Sequence, residues 1–132
     1  MSPDDFAARA EALVGTPFRL GGRDPGSGLD CIGLVTSACN AAEAPSGYGL
    51  RNTDIKKHLA FAARAGFVPV GGEVRRGDLI LARPSPAQHH LLVALGTGRF
   101  VHAHAGLRRV ALHLGPLAWP EAARWRLAQE KD

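Results

Sequence analysis

The feature that most constrains the fold is a change of hydrophobic period partway along the chain. Residues 3–14 (PDDFAARAEALV) place Ala and Leu at helical spacing behind acids in the first turn, which predicts a helix stopped by Gly15-Thr16-Pro17. Helical spacing returns at Asp30, with Leu34, Val35, Ala38 and Cys39 on the face of Cys31. Asp30 is a natural N-cap, so Cys31 falls in the first turn of a helix expected to reach Ala44, before Pro45. Residues 45–52 read as loop, and Asn52 or Thr53 caps a third helix over 54–65, closed by Gly66. Between the first two helices, GGRDPGSG at 21–28 is expected to be irregular.

The second half reads differently. Residues 78–83 (DLILAR), 90–95 (HLLVAL), 99–104 (RFVHAH) and 108–113 (RRVALH) are strand-length runs between turn residues. Gly96-Thr97-Gly98 marks a hairpin, and the tail suggests a short helical turn and a last strand near 124–128. Helices first and antiparallel strands second is an α+β layout, and 132 residues suit one domain spanning 1–132.

Charge and hydropathy remove several function classes. The net charge of +4 comes without any Lys/Arg run longer than two, and aromatics are not interleaved with the basic residues. That pattern fits a solvated basic surface and predicts no nucleic-acid partner. No 18-residue apolar run exists, so no membrane-spanning helix is expected. The first residues are acidic and lack a charged region followed by an apolar one, which predicts a protein made in the cytoplasm without a signal peptide. The two cysteines, Cys31 and Cys39, would lie ~12 Å apart along one helix at ~1.5 Å per residue. A disulfide needs less than ~7 Å, so both thiols should be free.

A thiol at a helix N-terminus meets partial positive charge and free N–H groups, which favour the thiolate. An ordinary Cys titrates near ~8.5, but such a setting with an imidazolium partner can bring it to ~3–4. Cys31 has that placement and is the candidate nucleophile; Cys39, further along the helix, is expected to be structural. The nucleophile needs a base, usually His, held by a third polar group. Of six histidines, His58 lies among lysines on a helix, and His113 ends a strand without an evident partner. His89, His90, His102 and His104 fall in two adjacent strands.

Strand alternation puts His102 and His104 on one face. A three-residue turn at 96–98 would pair Leu95 with Arg99, setting His90 directly opposite His104 and diagonal to His102. An even-length turn would bring His89 to that face instead; hydropathy favours His90. Clustered histidines can also hold zinc, but no HExxH or CxxC is present and the Cys is fixed at a helix start, so no metal is expected.

Two blocks resemble a known family. LVGTPFRLGGRDPGSGLDCIGLV (13–35) is similar to the nucleophile segment of the NlpC-type, papain-like cell-wall cysteine peptidases, G-T-P-Y-x-x-G-G followed by D-C-S-G-L-V on a helix. RRGDLILARPSPAQHHLLVALGTGRFVHAHAG (75–106) resembles their second segment: G-D-L, then H-x-G-I on a strand, a tight turn and F-I-H-A. The family's two catalytic histidines lie twelve residues apart, as do His90 and His102. The resemblance implies Cys31 as nucleophile, His90 as base and His102 as the orienting group. It also implies a helix carrying the Cys against an antiparallel sheet, and hydrolysis of peptidoglycan stem peptides without an organic cofactor, commonly between D-glutamate and a diamino acid.

Three positions depart from the pattern: Phe18 stands for the usual Tyr and Ile32 for Ser, which bear on substrate and rate, and Leu92 stands for Gly. The D-C-I-G-L form, VHAHAG and the following Trp119 and Trp125 resemble the branch found in phages and phage-like gene transfer agents. That likeness implies tail proteins as partners and action at the cell wall. Phe18, Arg19, Arg23, Asp30, Gln88 and His104 flank the catalytic blocks as candidate substrate contacts, with Asp30 first an N-cap. Asp78 is read as serving a turn and Gly33 as allowing close packing of the Cys helix. The rival reading is a non-catalytic tail or wall-binding module that keeps the fold.

Overall fold

A computed structural model describes residues 1–39, 55–86 and 88–128, without the side chains of 55, 56 and 58. Helix α1 (Pro3–Ala12) begins with a reciprocal cap, since Ser2 Oγ accepts the Asp5 N–H at 3.0 Å and the Asp5 carboxylate accepts the Ser2 N–H at 3.0 Å. Two short strands follow, β1 (Arg23–Asp24) and β2 (Gly28–Leu29), paired antiparallel. The glycine-rich stretch is therefore ordered, against the irregular segment expected. A Cβ on Gly22 or Gly33 would collide with the carbonyl oxygens of Gly28 and Gly22, so these glycines serve close backbone approach.

Helix α2 (Cys31–Cys39) and helix α3 (Ile55–Arg64) complete the helical half. The expected end of α2 at Ala44, the loop over 45–52 and the cap at Asn52 or Thr53 lie outside the described residues. No described helix is long and apolar enough to cross a membrane.

Six strands form one antiparallel sheet: β3 (Phe67–Pro69), β4 (Leu79–Ser85), β5 (Gln88–Gly96), β6 (Arg99–His104), β7 (Arg109–Leu114) and β8 (Glu121–Leu127). Their order is β3-β8-β4-β5-β6-β7, so the last strand lies between the first two. The helical turn expected in the tail does not form, and residues 115–120 are irregular.

Side-chain alternation divides the sheet into two faces. Leu79, Leu81, Leu91, Val93, Val101, Ala103 and Val110 pack under α1, α2 and α3 with Phe6, Leu34, Val35 and Phe61. Ile80, Ala82, Leu92, Ala94 and Phe100 form a smaller cluster on the other face, covered by Val74, Leu117 and Trp119.

Asp78 does more than serve its turn. Its carboxylate is fully buried and accepts the Arg75 N–H at 2.9 Å, Arg126 at 2.6 and 3.0 Å, and Arg124 at 3.3 Å. Burial alone would raise its pKa, but the Arg126 bond, the Arg75 N–H and the two positive charges together hold it below the usual carboxylate range. The cluster ties the start of β4 to β8.

Candidate active site

Asp30 sets the start of α2. Its carboxylate accepts the Gly33 N–H at 2.8 Å, which caps the first turn, as well as Gly21 N–H at 2.9 Å and Arg23 Nη1 at 2.7 Å. The expected N-cap is formed, and the carboxylate is engaged by three protein donors in a nearly buried position. Arg23, expected to reach substrate, is the ion-pair partner of that cap.

The thiol of Cys31 lies near β5, where the backbone N–H groups of Leu91 and Ile32 favour its ionised form. The sheet explains why Leu91 has a donor to give. Ala94 exchanges bonds with the start of β4, through Ala94 N–H to Asp78 O and Gly77 N–H to Ala94 O, both at 2.9 or 2.8 Å. Even positions of β5 therefore bond toward β4 and odd ones toward β6. Pairing of β5 with β6 runs from Gly96–Arg99 to Val93–Val101 and goes no further among the described residues. Beyond that point the Leu91 N–H is turned away from β4 toward the side of the thiol, whose ionised form it favours.

The hairpin differs from expectation in one detail. Gly96 pairs with Arg99 across a Thr97-Gly98 turn, and a bulge at Leu95 replaces the expected Leu95–Arg99 pair. The bulge restores the anticipated register, with Val93 opposite Val101. Because the ladder then stops, His90 meets the diagonal ring: His90 Nε2 and His102 Nδ1 are 2.9 Å apart. His104 turns toward its own loop, where Nδ1 accepts the Leu107 N–H at 3.0 Å, and lies edge-on to His102. His89 has the parity of Leu91 and so belongs to the opposite face from His90.

The electrostatics reverse one expectation. Burial, then the Asp30 carboxylate, push the Cys31 thiol up to about 11, outweighing the Leu91 and Ile32 bonds and the Arg23 charge. Burial, then His102 and His104, push His90 down to about 3. Burial, then His104 and His113, push His102 down to about 4. The resting site holds a neutral thiol and two neutral imidazoles. The helix N-terminus does not produce a resting thiolate, because desolvation and the adjacent capping carboxylate outweigh it.

Phe18 is half-buried against the core, its N–H bonded to Arg108 O, and Arg19 beside it is exposed. Gln88 opens β5, two residues before His90, and its Oε1 accepts the Ser85 hydroxyl at 3.3 Å. Among the described residues, no group of three or more His, Cys, Asp or Glu side chains is arranged to hold a metal ion. Neither Cys31 nor Cys39 forms a disulfide among the described residues. Trp119, noted in the sequence only for its likeness to the phage branch and not as a neighbour of the histidines, stands edge-on to both His90 and His102 from the irregular segment after β7. Nothing local in LAWPE distinguishes it from any other half-exposed aromatic.

The chain resembles known proteins over most of its length. The NlpC/P60 family model matches residues 15–116. Protein P54 of Enterococcus faecium is 28% identical over 98 residues, covering 74% of this chain and 17% of that protein. The NlpC/p60 domain of the peptidoglycan hydrolase SagA superposes with a TM-score of 0.62 at 26% identity, covering 98% of this chain and 100% of that one. The peptidoglycan hydrolase RipB of Mycobacterium tuberculosis gives 0.64 at 26% identity, covering 97% and 65%. NlpC1 of Trichomonas vaginalis gives 0.70 at 21% identity over 95% of this chain and 43% of that one, a likeness of fold. The chain thus spans under a fifth of the curated relative and under half of NlpC1.

Proposed function

Since the chain belongs to the NlpC/P60 family, we propose that it is a cysteine peptidase hydrolysing peptidoglycan stem peptides. Cys31 is the nucleophile, His90 the general base and His102 the group that orients it. The observation carrying this reading is the thiol of a capped helix lying against the His90–Leu91 peptide, with His90 bonded to His102 at 2.9 Å. SagA and RipB, both described as peptidoglycan hydrolases, support the substrate class.

With both rings neutral, we assign the His90 Nε2–H as donor to His102 Nδ1, which leaves His90 Nδ1 as the basic lone pair. Sγ of Cys31 attacks the amide carbonyl as His90 Nδ1 takes the thiol proton, so attack and proton transfer are coupled. The Cys31 N–H, unpaired within the first turn of α2, is a donor for the oxyanion. The imidazolium returns its proton to the leaving nitrogen, the C–N bond breaks and a thioester remains. Water, deprotonated by His90, then attacks the thioester and frees the thiol.

Two finer points rest on the sequence resemblance alone: cleavage between D-glutamate and a diamino acid, and delivery on a phage-like tail that opens the wall locally. Exposed Arg19, with Phe18 and Gln88, is the proposed contact for a carboxylate-bearing peptide. Mass analysis of muropeptides tests the whole reading. The wild type should release fragments cut at a stem-peptide amide and Cys31→Ala none; identical products from both would overturn it.

A further inference from the structure

We propose that Trp119 is a positioning residue for the His90–His102 pair, its indole holding both rings in their mutual geometry and shielding them from water. Three rings form a closed edge-to-face triangle. His90 and His102 have centroids 5.1 Å apart at 74°, and Trp119 lies 5.7 Å from His90 at 87° and 6.1 Å from His102 at 61°. Edge-to-face contact is a favoured aromatic arrangement, and a ring touching both partners restricts the rotation of each.

The fold accounts for the reach of the indole. Ala82 on β4 pairs with His90 on one side and Glu121 of β8 on the other. Trp119 precedes Glu121 by two residues, and the methyl group of Ala82 leaves room for an indole to cross β4 toward His90. The same indole packs on Ile80, Ala82, Leu92, Ala94 and Phe100, so it closes the face of the sheet opposite the helices. His102 is buried and His90 half-buried beneath that cover, and desolvation is the largest cause of the low pKa of both rings.

The other rings against the pair are His104 from β6 and His113 from β7, both edge-on to His102. Arg109 stands opposite His104, and Glu121 is taken up by Arg124 at 2.9 Å. None of these is apolar cover, which comes from Trp119.

The proposal deepens the hydrolase reading, and its test separates the two. Ring titrations of His90 and His102, followed by NMR without substrate, are compared in wild type, Trp119→Ala, Trp119→Leu and Trp119→Phe. In Trp119→Ala both midpoints should rise by about one unit or more toward the ordinary ~6.5, and the acid limb of kcat/KM should move with them. Trp119→Phe, which keeps an aromatic edge, should stay near wild type. Should the Ala variant fail to fold, Trp119→Leu reports instead, its apolar bulk preserving cover but not the edge contact, and should fall between. Unmoved midpoints in a folded Ala or Leu variant, or equal shifts for Phe and Leu, overturn the proposal. An inactive wild type with shifted rings would sink the hydrolase reading and leave Trp119 supported.

Discussion

At the scale of single residues, the site combines a thiol that resists ionisation with imidazoles that resist protonation. The reactive form, neutral on both sides, therefore persists from well below neutrality to well above it. A flat kcat/KM between pH 6 and 9 is the expected profile on a muropeptide substrate (about three units, inside the two limbs). Alkylation should behave differently from catalysis. Iodoacetamide needs thiolate, so labelling of Cys31 without substrate should climb steadily with pH toward about 11. A rate already at plateau by pH 6 would instead mean a resting thiolate–imidazolium pair.

Among the histidines, His90→Ala should abolish turnover, His102→Ala should leave a fraction of it, and His104→Ala and His89→Ala should be milder. Loss of the base removes both proton transfers, whereas loss of its partner only frees the ring. Cys31, His90 and His102 were singled out by spacing and motif. Their ionisation was not legible, because it depends on burial in the folded core and on the Asp30 charge beside the thiol, and neither effect can be read from the local sequence.

At the scale of elements, the position of the thiol is a property of the first turn of α2. Asp30 both caps that turn and raises the thiol pKa, two effects that substitution can separate. Asp30→Asn keeps an acceptor for the Gly33 N–H but removes the charge. Its thiol pKa should fall, so alkylation at pH 8 should speed up, while stability drops by about 1–3 kcal/mol as the Arg23 bond weakens. Slower labelling in a folded Asp30→Asn protein would contradict the sign assigned to the carboxylate.

Glycine was the element-scale signal most open to misreading. Gly21, Gly22 and Gly28 suggested irregular chain because glycine is common where backbone is free, yet Gly22 and Gly28 lie where strand, loop and helix touch. The helices and strands themselves were readable because their apolar residues repeat locally; the bulge at Leu95 was not, since a bulge depends on how two strands meet.

At the scale of the whole molecule, acid should destabilise the fold in two stages. A buried His that stays neutral in the fold binds fewer protons than its unfolded counterpart, which titrates near ~6.5. Stability should thus fall as pH drops from about 6.5 toward the folded values of about 3 and about 4 for His90 and His102. Asp78, whose folded pKa is depressed, stabilises above the unfolded carboxylate value of ~3.9 and adds a second loss below it. Asp78→Asn should lower stability at pH 7 by about 1–3 kcal/mol, because the charged bonds of Arg124 and Arg126 to the buried carboxylate are lost while Arg124 keeps Glu121. Thermal melts should show the first stage intact in Asp78→Asn and the second gone.

The strand order escaped the sequence reading for a related reason. Adjacent hairpins announce themselves by their turns, whereas β8 finds its place between β3 and β4 through contacts far apart in the chain. That insertion bears on biosynthesis. As the polypeptide leaves the ribosome, β4 to β7 emerge as a meander with an open flank, and the strand that fills it arrives last. Trp119 and both arginines of the Asp78 cluster travel in the same late segment. The nascent chain thus carries Cys31 and His90 long before it has Trp119 and the arginines of the Asp78 cluster, and their surroundings are completed in one late step.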